Sequence, residues 1–327
     1  MLAELRFVMG AVSKKDIVQS MQHFVIKDGM IRAYNGRVAL GAPINFDIDC
    51  QPHAVDLVKA ISLCSEQGVV TISMTPAGKL KVQNNDARWF VECVTDDVPH
   101  PLPEGDVLPI SGKEIREAFS VLERFIGTDA SRPWTNGILL HDKSAYATNN
   151  ITICQYWLGT PVPFTVNIPG EAIKEILRVK DDPTHIQLTD NSITFHYEGG
   201  KWIRSGLWDA SAISQVASVM DSVVGNPVVT NPELFKALAS VGPFVGKLKE
   251  IYFIDGEVAT DYEDNIGARF KLEGLPEKAC FLLTQLQDLE DVATHVDFHS
   301  YPKPCLFYGN NLRGAIIGRH MKAQDAA

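Results

Sequence analysis

Two periods of apolar spacing alternate along this chain, and the alternation is written three times. Around Asp28-Gly29 the run FVIKDGMIRAY reads strand, tight turn, strand, because Asp-Gly favours the two-residue hairpin. ILLHDKSAYAT repeats the form around Asp142-Lys143, and IYFIDGEVAT repeats it around Asp255-Gly256. The three turns are about 114 and about 113 residues apart, a period that points to repeated architecture. A second series keeps the same spacing, with VVTISM-TPAG-KLKVQ turning near 77, HIQLTDNSITFHY at Asp190-Asn191 and THVDFHSYPKPCLFY near Pro302. Further strands are expected over 37–44, 88–94, 151–158, 201–208, 267–272 and 313–321.

Helical spacing precedes each hairpin. Leu5, Val8 and Val12 share one face over 2–15, with Lys14 and Lys15 suited to the negative end of a helix dipole. Val55, Val58 and Ile61 mark a helix from His53 to about Gly68. Ser111 and Glu114 form a capping box before Ile115, Phe119, Leu122 and Ile126. Pro169-Gly170-Glu171 opens a short helix with Ile173, Ile176 and Leu177 apolar, and Asn231-Pro232-Glu233 opens another through Leu234, Phe235, Leu238 and Val241. Pro276-Glu277 is read as starting a helix through Leu282, Leu286 and Leu289. Each repeat is therefore helix, strands, helix, strands, which makes the fold class α+β with two helices packed on antiparallel sheets per domain. The expected domains are 1–107, 108–225 and 226–327. The first boundary falls where acids crowd with Pro99, Pro101 and Pro103.

Composition narrows the class. No apolar run reaches the roughly 18 residues of a membrane helix. The N-terminus is broken by Glu4 and has its lysines after the apolar stretch, so a signal peptide is not expected and a cytoplasmic location is. The six cysteines, Cys50, Cys64, Cys93, Cys154, Cys280 and Cys305, form no CxxC pair and read as reduced core residues. The net charge of −10 argues against a simple coat on nucleic acid. It leaves room for an acidic exterior with one basic inner surface.

Within this frame the order helix, strand, Asp-Gly hairpin, followed by Ala147-Thr148-Asn149-Asn150-Ile151, resembles the bacterial beta-type sliding clamp. So do Ile168-Pro169-Gly170-Glu171 with its helix, the Asp190-Asn191 hairpin and Gly206 to Ala210. The resemblance covers nearly the whole chain, strongest over 108–210. It implies a processivity factor for a replicative DNA polymerase, a ring of two three-domain subunits around duplex DNA, a clamp loader as partner, no enzymatic activity and no cofactor or metal. The weak overall matching implies a divergent member, possibly encoded by a phage and then acting in an infected host cell. Helix residues that would face the duplex are Lys14, Lys15, Lys59, Lys113, Arg116, Lys174, Arg178 and Lys236, and Arg132 with Trp134 would touch DNA beside the central hairpin. A pocket for polymerase and loader peptides maps to Thr135, Asn150, Ile151, Thr152, Ile153, Val219, Ile316, Ile317, Gly318, Arg319, His320 and Met321. Here the chain departs from the family pattern, with Asn149-Asn150-Ile151-Thr152-Ile153 in place of Asp-Gly-His/Asn-Arg-Leu, and six further residues end the chain.

Two other motifs compete. Gly242-Pro-Phe-Val-Gly246-Lys247 has the wrong spacing and context for a phosphate loop. His295, Asp297 and His299 would share one face of a continuous strand and could hold a metal. The alternatives to a clamp are thus a ring-forming scaffold of the same fold and a metal-dependent enzyme.

Overall fold

The computed structural model describes residues 1–13, 19–46, 48–64, 69–95 and 100–321. The chain opens with α1 (Leu2–Val8), then β1 (Val25–Lys27), β2 (Met30–Tyr34), β3 (Val38–Pro43), α2 (Ala54–Cys64), β4 (Thr71–Met74), β5 (Leu80–Gln83) and β6 (Arg88–Val91). The middle stretch holds β7 (Asp106–Pro109), α3 (Gly112–Leu122), β8 (Gly137–Thr148), β9 (Thr152–Pro169), α4 (Gly170–Arg178), β10 (His185–Leu188), β11 (Ser192–His196), β12 (Trp202–Gly206) and α5 (Ile213–Ser222). The last stretch holds β13 (Val228–Val229), α6 (Glu233–Val241), β14 (Glu250–Ile254), β15 (Glu257–Ala259), β16 (Arg269–Lys271), β17 (Lys278–Leu282), α7 (Leu283–Gln287), β18 (His295–Val296), β19 (Cys305–Gly309) and β20 (Leu312–Ile316). No helix among the described residues is long and apolar enough to cross a membrane.

The chain forms two compact units, 1–116 with 168–207 and 117–167 with 208–327. The first holds a seven-stranded antiparallel sheet in the order β1-β2-β3-β12-β11-β10-β7 and a three-stranded sheet, β4-β5-β6. Its seam is β3 against β12, with Trp202 opposite Gly41. A side chain on Gly41 would overlap the Trp202 indole, so the glycine lets the ring lie flat across the seam. Leu5 and Val8 of α1, Ile173 and Ile176 of α4, and Leu40, Phe195 and Ile203 of the sheet are all buried. Leu5 and Val8 are three apart, as are Ile173 and Ile176, so each helix turns one face inward, while β3 and β11 are buried along nearly their whole length.

The second unit holds a six-stranded sheet, β13-β18-β19-β20-β9-β8, and a four-stranded one, β16-β15-β14-β17. Leu234, Leu238 and Val241 of α6 are buried, as is Leu286 of α7. Phe253, Phe281, Phe298 and Tyr301 stack edge-on or tilted at 5.2 to 5.8 Å between centroids, a favoured aromatic geometry.

Several elements differ from expectation for physical reasons. The first helix is shorter than 2–15. It passes into a 3-10 turn, Met9–Ala11, and Val12 is extended. Lys14 and Lys15 lie outside the described residues. The stretch expected to be one helix from Pro276 divides into β17 and α7. Ala279, Cys280 and Phe281 are all buried, and a short continuous apolar run fits a strand paired on β14 better than a one-faced helix. At Asp142 the left-handed backbone of the expected turn is present, with φ 48°, but strand β8 is continuous through it. The hairpin expected near Pro302 forms, β18 pairing antiparallel with β19, but its loop is wide and carries a 3-10 turn, Phe298–Ser300; a tight turn with left-handed Asn311, φ 52°, follows between β19 and β20.

That 3-10 turn is built on a buried carboxylate. Asp297 accepts from Ser300 Oγ at 2.7 Å and from Asn226 N at 2.8 Å. Burial pushes its pKa up, and the hydrogen bonds outweigh this, holding it below the ordinary 3.8. A carboxyl depressed in the native state stabilises the fold above its unfolded pKa and loses that contribution as pH falls through the native one. Asp297→Asn should therefore cost about 1–3 kcal/mol in urea unfolding at pH 7. The difference from wild type should shrink on acidification below about pH 4. A pH-independent difference would remove the charge from the explanation.

Candidate partner pocket and nucleic-acid surface

The turn between β8 and β9 begins the candidate pocket. Asn149 Oδ1 accepts from Ile151 N at 3.2 Å and Thr152 N at 2.8 Å, and Thr148 Oγ1 donates to Thr152 O at 2.8 Å. These side-chain bonds replace ladder bonds and close the turn. Asn150 takes φ 73°, a left-handed value that Asn tolerates, and its Oδ1 accepts from Arg132 Nη1 at 3.0 Å. Asn149 and Asn150 thus perform the turn work between β8 and β9.

Trp134 supplies one wall. Its indole packs on Leu139, Tyr146, Ile213 and Val216, and its carbonyl accepts from Asn167 Nδ2 at 2.8 Å. Helix α5 supplies the next. Ile213, Val216 and Met220 are buried, while Val219, off that stripe, is 45% exposed. The third wall is the chain leaving β20. Ile317 N donates to Ile151 O at 2.9 Å, and Gln285 Nε2 bridges Ile151 O and Ile317 O at 3.0 and 3.1 Å. Together these enclose a cavity of about 250 Å³ within the second unit. Its floor and walls are mostly apolar, with Arg132, Thr148, Asn150, Thr152 and Gln215 at the polar positions.

Of the expected pocket residues, Asn150, Ile151, Thr152, Ile153, Val219 and Ile317 line the cavity, and so do Arg132 and Trp134. Thr135 is buried beneath it, donating to Arg132 O at 2.9 Å, and Ile316 is buried in β20. Gly318, Arg319, His320 and Met321 are not among its lining residues. Arg319 is turned to Glu250 at 3.2 Å and its carbonyl accepts from Tyr301 Oη at 2.7 Å. Thr148, Gln215, Val216, Val223, Pro304 and Ala315 also line the cavity and were not anticipated. Three of these depend on α5, whose spacing of Ile213, Val216, Ala217 and Met220 is a readable helical signal.

The basic candidates are in unequal states. Lys59, Lys113, Lys174 and Lys236 are exposed, on α2, α3, α4 and α6. Lys236 is paired to Glu233 at 3.0 Å, and Arg116 is 3.8 Å from Asp182. Lys174 forms no ion pair among the described residues. Arg178, one helical turn on, is engaged. It pairs with Glu175 at 2.7 Å and donates to Phe7 O at 2.6 Å, tying the end of α1 to α4. A Cβ on Gly10 would meet the movable ends of the Glu175 and Arg178 side chains.

The metal alternative loses its geometry. Strand β18 ends at Val296, so His295, Asp297 and His299 do not alternate along one strand. Asp297 is turned inward to Ser300 and Asn226, and His295 Nδ1 bonds Thr294 Oγ1 at 2.9 Å. Among the described residues no group of three or more His, Cys, Asp or Glu side chains is placed to hold a metal ion.

Compared with solved structures, the chain overlays nearly end to end on bacterial sliding clamps. The sliding clamp (DNA polymerase III subunit beta) of Bartonella birtlesii bound to griselimycin matches with TM-score 0.82 at 16% identity. The C. crescentus beta sliding clamp gives 0.80 at 15%, and the Bacillus subtilis DNA polymerase sliding clamp 0.76 at 14%. Each overlay covers 98% of this chain and 97% of the other. No protein-family model matches the chain, and no curated protein matches it in sequence. The fold is thus the beta-clamp fold of repeated α+β domains.

Arg178 and Lys174 should separate in thermal melts. Arg178→Ala leaves the Phe7 carbonyl and Glu175 without their partner and should cost about 1–3 kcal/mol. Lys174→Ala should stay within about 0.5 kcal/mol of wild type. Equal melting temperatures for the two variants would mean that the α1–α4 tie contributes nothing.

Proposed function

We propose that this chain is a DNA sliding clamp: three domains, 1–107, 108–225 and 226–327, close with a second copy into a ring that holds a replicative polymerase on duplex DNA. The overlay on bacterial clamps along 98% of the chain carries the proposal. The neighbours are themselves named as DNA polymerase III beta subunits. Such a protein needs no chemistry of its own. It keeps the polymerase at high effective concentration beside its template. Its site of action would be the cytoplasm of a bacterial or infected cell, with a loader to open it.

Self-assembly is supported by the unfinished sheets. In both large sheets the third strand of one half-repeat pairs with the third of another, as β3 does with β12. The equivalent strands β6 and β16 are free edges of the three- and four-stranded sheets. Edge to edge between copies, they would make a sheet as wide as the seven-stranded one. Phe125 is buried against Phe307 at 6.2 Å, while Phe244, its counterpart in the next repeat, is 64% exposed. A partner copy would cover Phe244 in the same way. Because the contact is head-to-tail, it closes only if the rotation is right, and three domains per copy favour two copies.

The basic helix faces would then meet phosphates without reading bases. Lys59, Lys113, Lys174 and Lys236 are the contacts proposed on present geometry, with Arg116 behind them. Arg178 supports α1 and reaches DNA only secondarily. Light scattering should give twice the chain mass for wild type, and Phe244→Asp should give the single mass. Retention on nicked circular DNA should fall about tenfold in Lys59→Glu/Lys174→Glu, with the double mass kept, because each lost phosphate contact weakens binding. Unchanged retention would leave the scaffold reading standing.

The cavity beside Trp134 is proposed as the seat of a partner peptide with an apolar anchor. Trp134 is a built-in reporter. Titration with short peptides bearing adjacent apolar residues should change its fluorescence saturably, and Val219→Asp should abolish the change without moving the melting temperature. No saturable change with any apolar peptide at millimolar concentration would sink the assignment.

A further inference from the structure

Four of the six cysteines are buried, Cys64, Cys154, Cys280 and Cys305, whereas Cys50 and Cys93 are half-buried. Burial pushes the Cys64 and Cys154 thiols up, and Cys305 up to about 12. Those groups are closed to oxidants and poor nucleophiles. The other two are placed together by backbone geometry. The segment 50–53 runs antiparallel to 92–94, with Pro52 opposite Cys93. Val94 N donates to Gln51 O at 3.0 Å and His53 N to Glu92 O at 2.8 Å. Residues two apart on an extended chain share a face, so Cys50 stands diagonally across from Cys93 on the Pro52 side. Cys50 is itself locked in place, exchanging two backbone bonds with Ile26 at 2.9 and 3.0 Å.

Each thiol perturbs the ionisation of the other, so the two sulfurs are near neighbours, and Cys93 Sγ also donates to Val91 O at 3.8 Å. The neighbouring thiol lowers the Cys93 pKa, against burial and the Glu92 charge, and raises that of Cys50. Cys93 is therefore the more readily ionised of the two and Cys50 the resolving group beside it.

We propose that Cys50 and Cys93 form a thiol–disulfide exchange site for small disulfides of the oxidised-glutathione class. The Cys93 thiolate attacks one sulfur of the small disulfide, forming a mixed disulfide and expelling a thiolate, which takes up a proton. Cys50 then loses its proton to water and attacks the Cys93 sulfur. The Cys50–Cys93 bond forms, the mixed disulfide breaks, and the second small thiolate is protonated in turn. The protein dithiol gives up two electrons and two protons, and one small disulfide becomes two thiols. The bridge staples the chain just beyond β6 to the segment that leads into α2. This site stands on the local geometry of the first unit and is independent of the clamp reading.

The test uses the full chain with oxidised glutathione at neutral pH, followed by acid quench, denaturation, alkylation and intact mass. Wild type should end with two fewer alkylatable thiols and no bound glutathione, and a peptide map should join Cys50 to Cys93. Cys50→Ser should stop at a glutathione adduct on Cys93. Cys93→Ser should react at least about tenfold more slowly, since it loses the more readily ionised thiol and leaves only Cys50, which burial still holds up. The wild-type map needs no variant to fold. Retention of all six thiols, a stable adduct without the bridge, a bridge to any other cysteine, or Cys93→Ser reacting as fast as wild type would each overturn the proposal.

Discussion

Edge-to-edge strand pairing between half-repeats is the constraint on which the rest of this structure depends. A half-repeat alone is a small sheet with one helix beside it, too little apolar area to be stable independently. Joining β3 to β12 turns two such pieces into one seven-stranded sheet, and joining β20 to β9 does the same in the second unit. The helices follow from this. α1 lies over β2 and β3 and α4 over β12, so the seam joins the two helix layers on one sheet, where Leu5, Val8, Ile173 and Ile176 are buried. A special residue sits at this junction for the same reason. Gly41 gives way to Trp202 at the seam.

This explains why three repeats in sequence appear as two compact units in space. The period was legible because turns need particular residues. Asp28-Gly29 and Asp255-Gly256 both take left-handed backbone, which few residue types accept. A sequence repeat marks where similar pieces begin. It carries no information on which edges join, since pairing is decided by backbone groups common to every residue. Consecutive pieces are shared across the seams, so 108–225 contributes to both units.

The pocket was half legible. Asn150 and Thr152 were placed by the family resemblance, and the structure adds their local work of closing the bend between β8 and β9. Gln215, Val216 and Val223 were missed with α5, a helix without a capping side chain or a charged first turn to announce its start. The same lack of local signal hid β17, where Ala279, Cys280 and Phe281 are buried without alternation. Among the cations, residue type and helical spacing correctly grouped Lys174 with Arg178 on one face. They did not distinguish the exposed amine from the guanidinium already bonded to Phe7 O and Glu175. That difference depends on α1, more than 160 residues away in sequence.

The outer strands β6 and β16 differ from the seam strands in how readily they would accept a further strand. An open strand edge invites any extended chain to pair with it. β16 is short, and Arg269 on it is held by Glu257 and Asp264, both at 3.1 Å. β6 begins with Arg88 and exposes Phe90. Short strands edged with charge resist indiscriminate pairing, while an exposed ring rewards a partner that fits it. The net charge of −10 acts in the same direction, because acidic copies repel at long range and at low salt. Pairing at either edge is thereby restricted to a strand that satisfies the charged ends, and at β6 the exposed Phe90 ring as well, because an edge that accepted any extended chain would carry no selectivity.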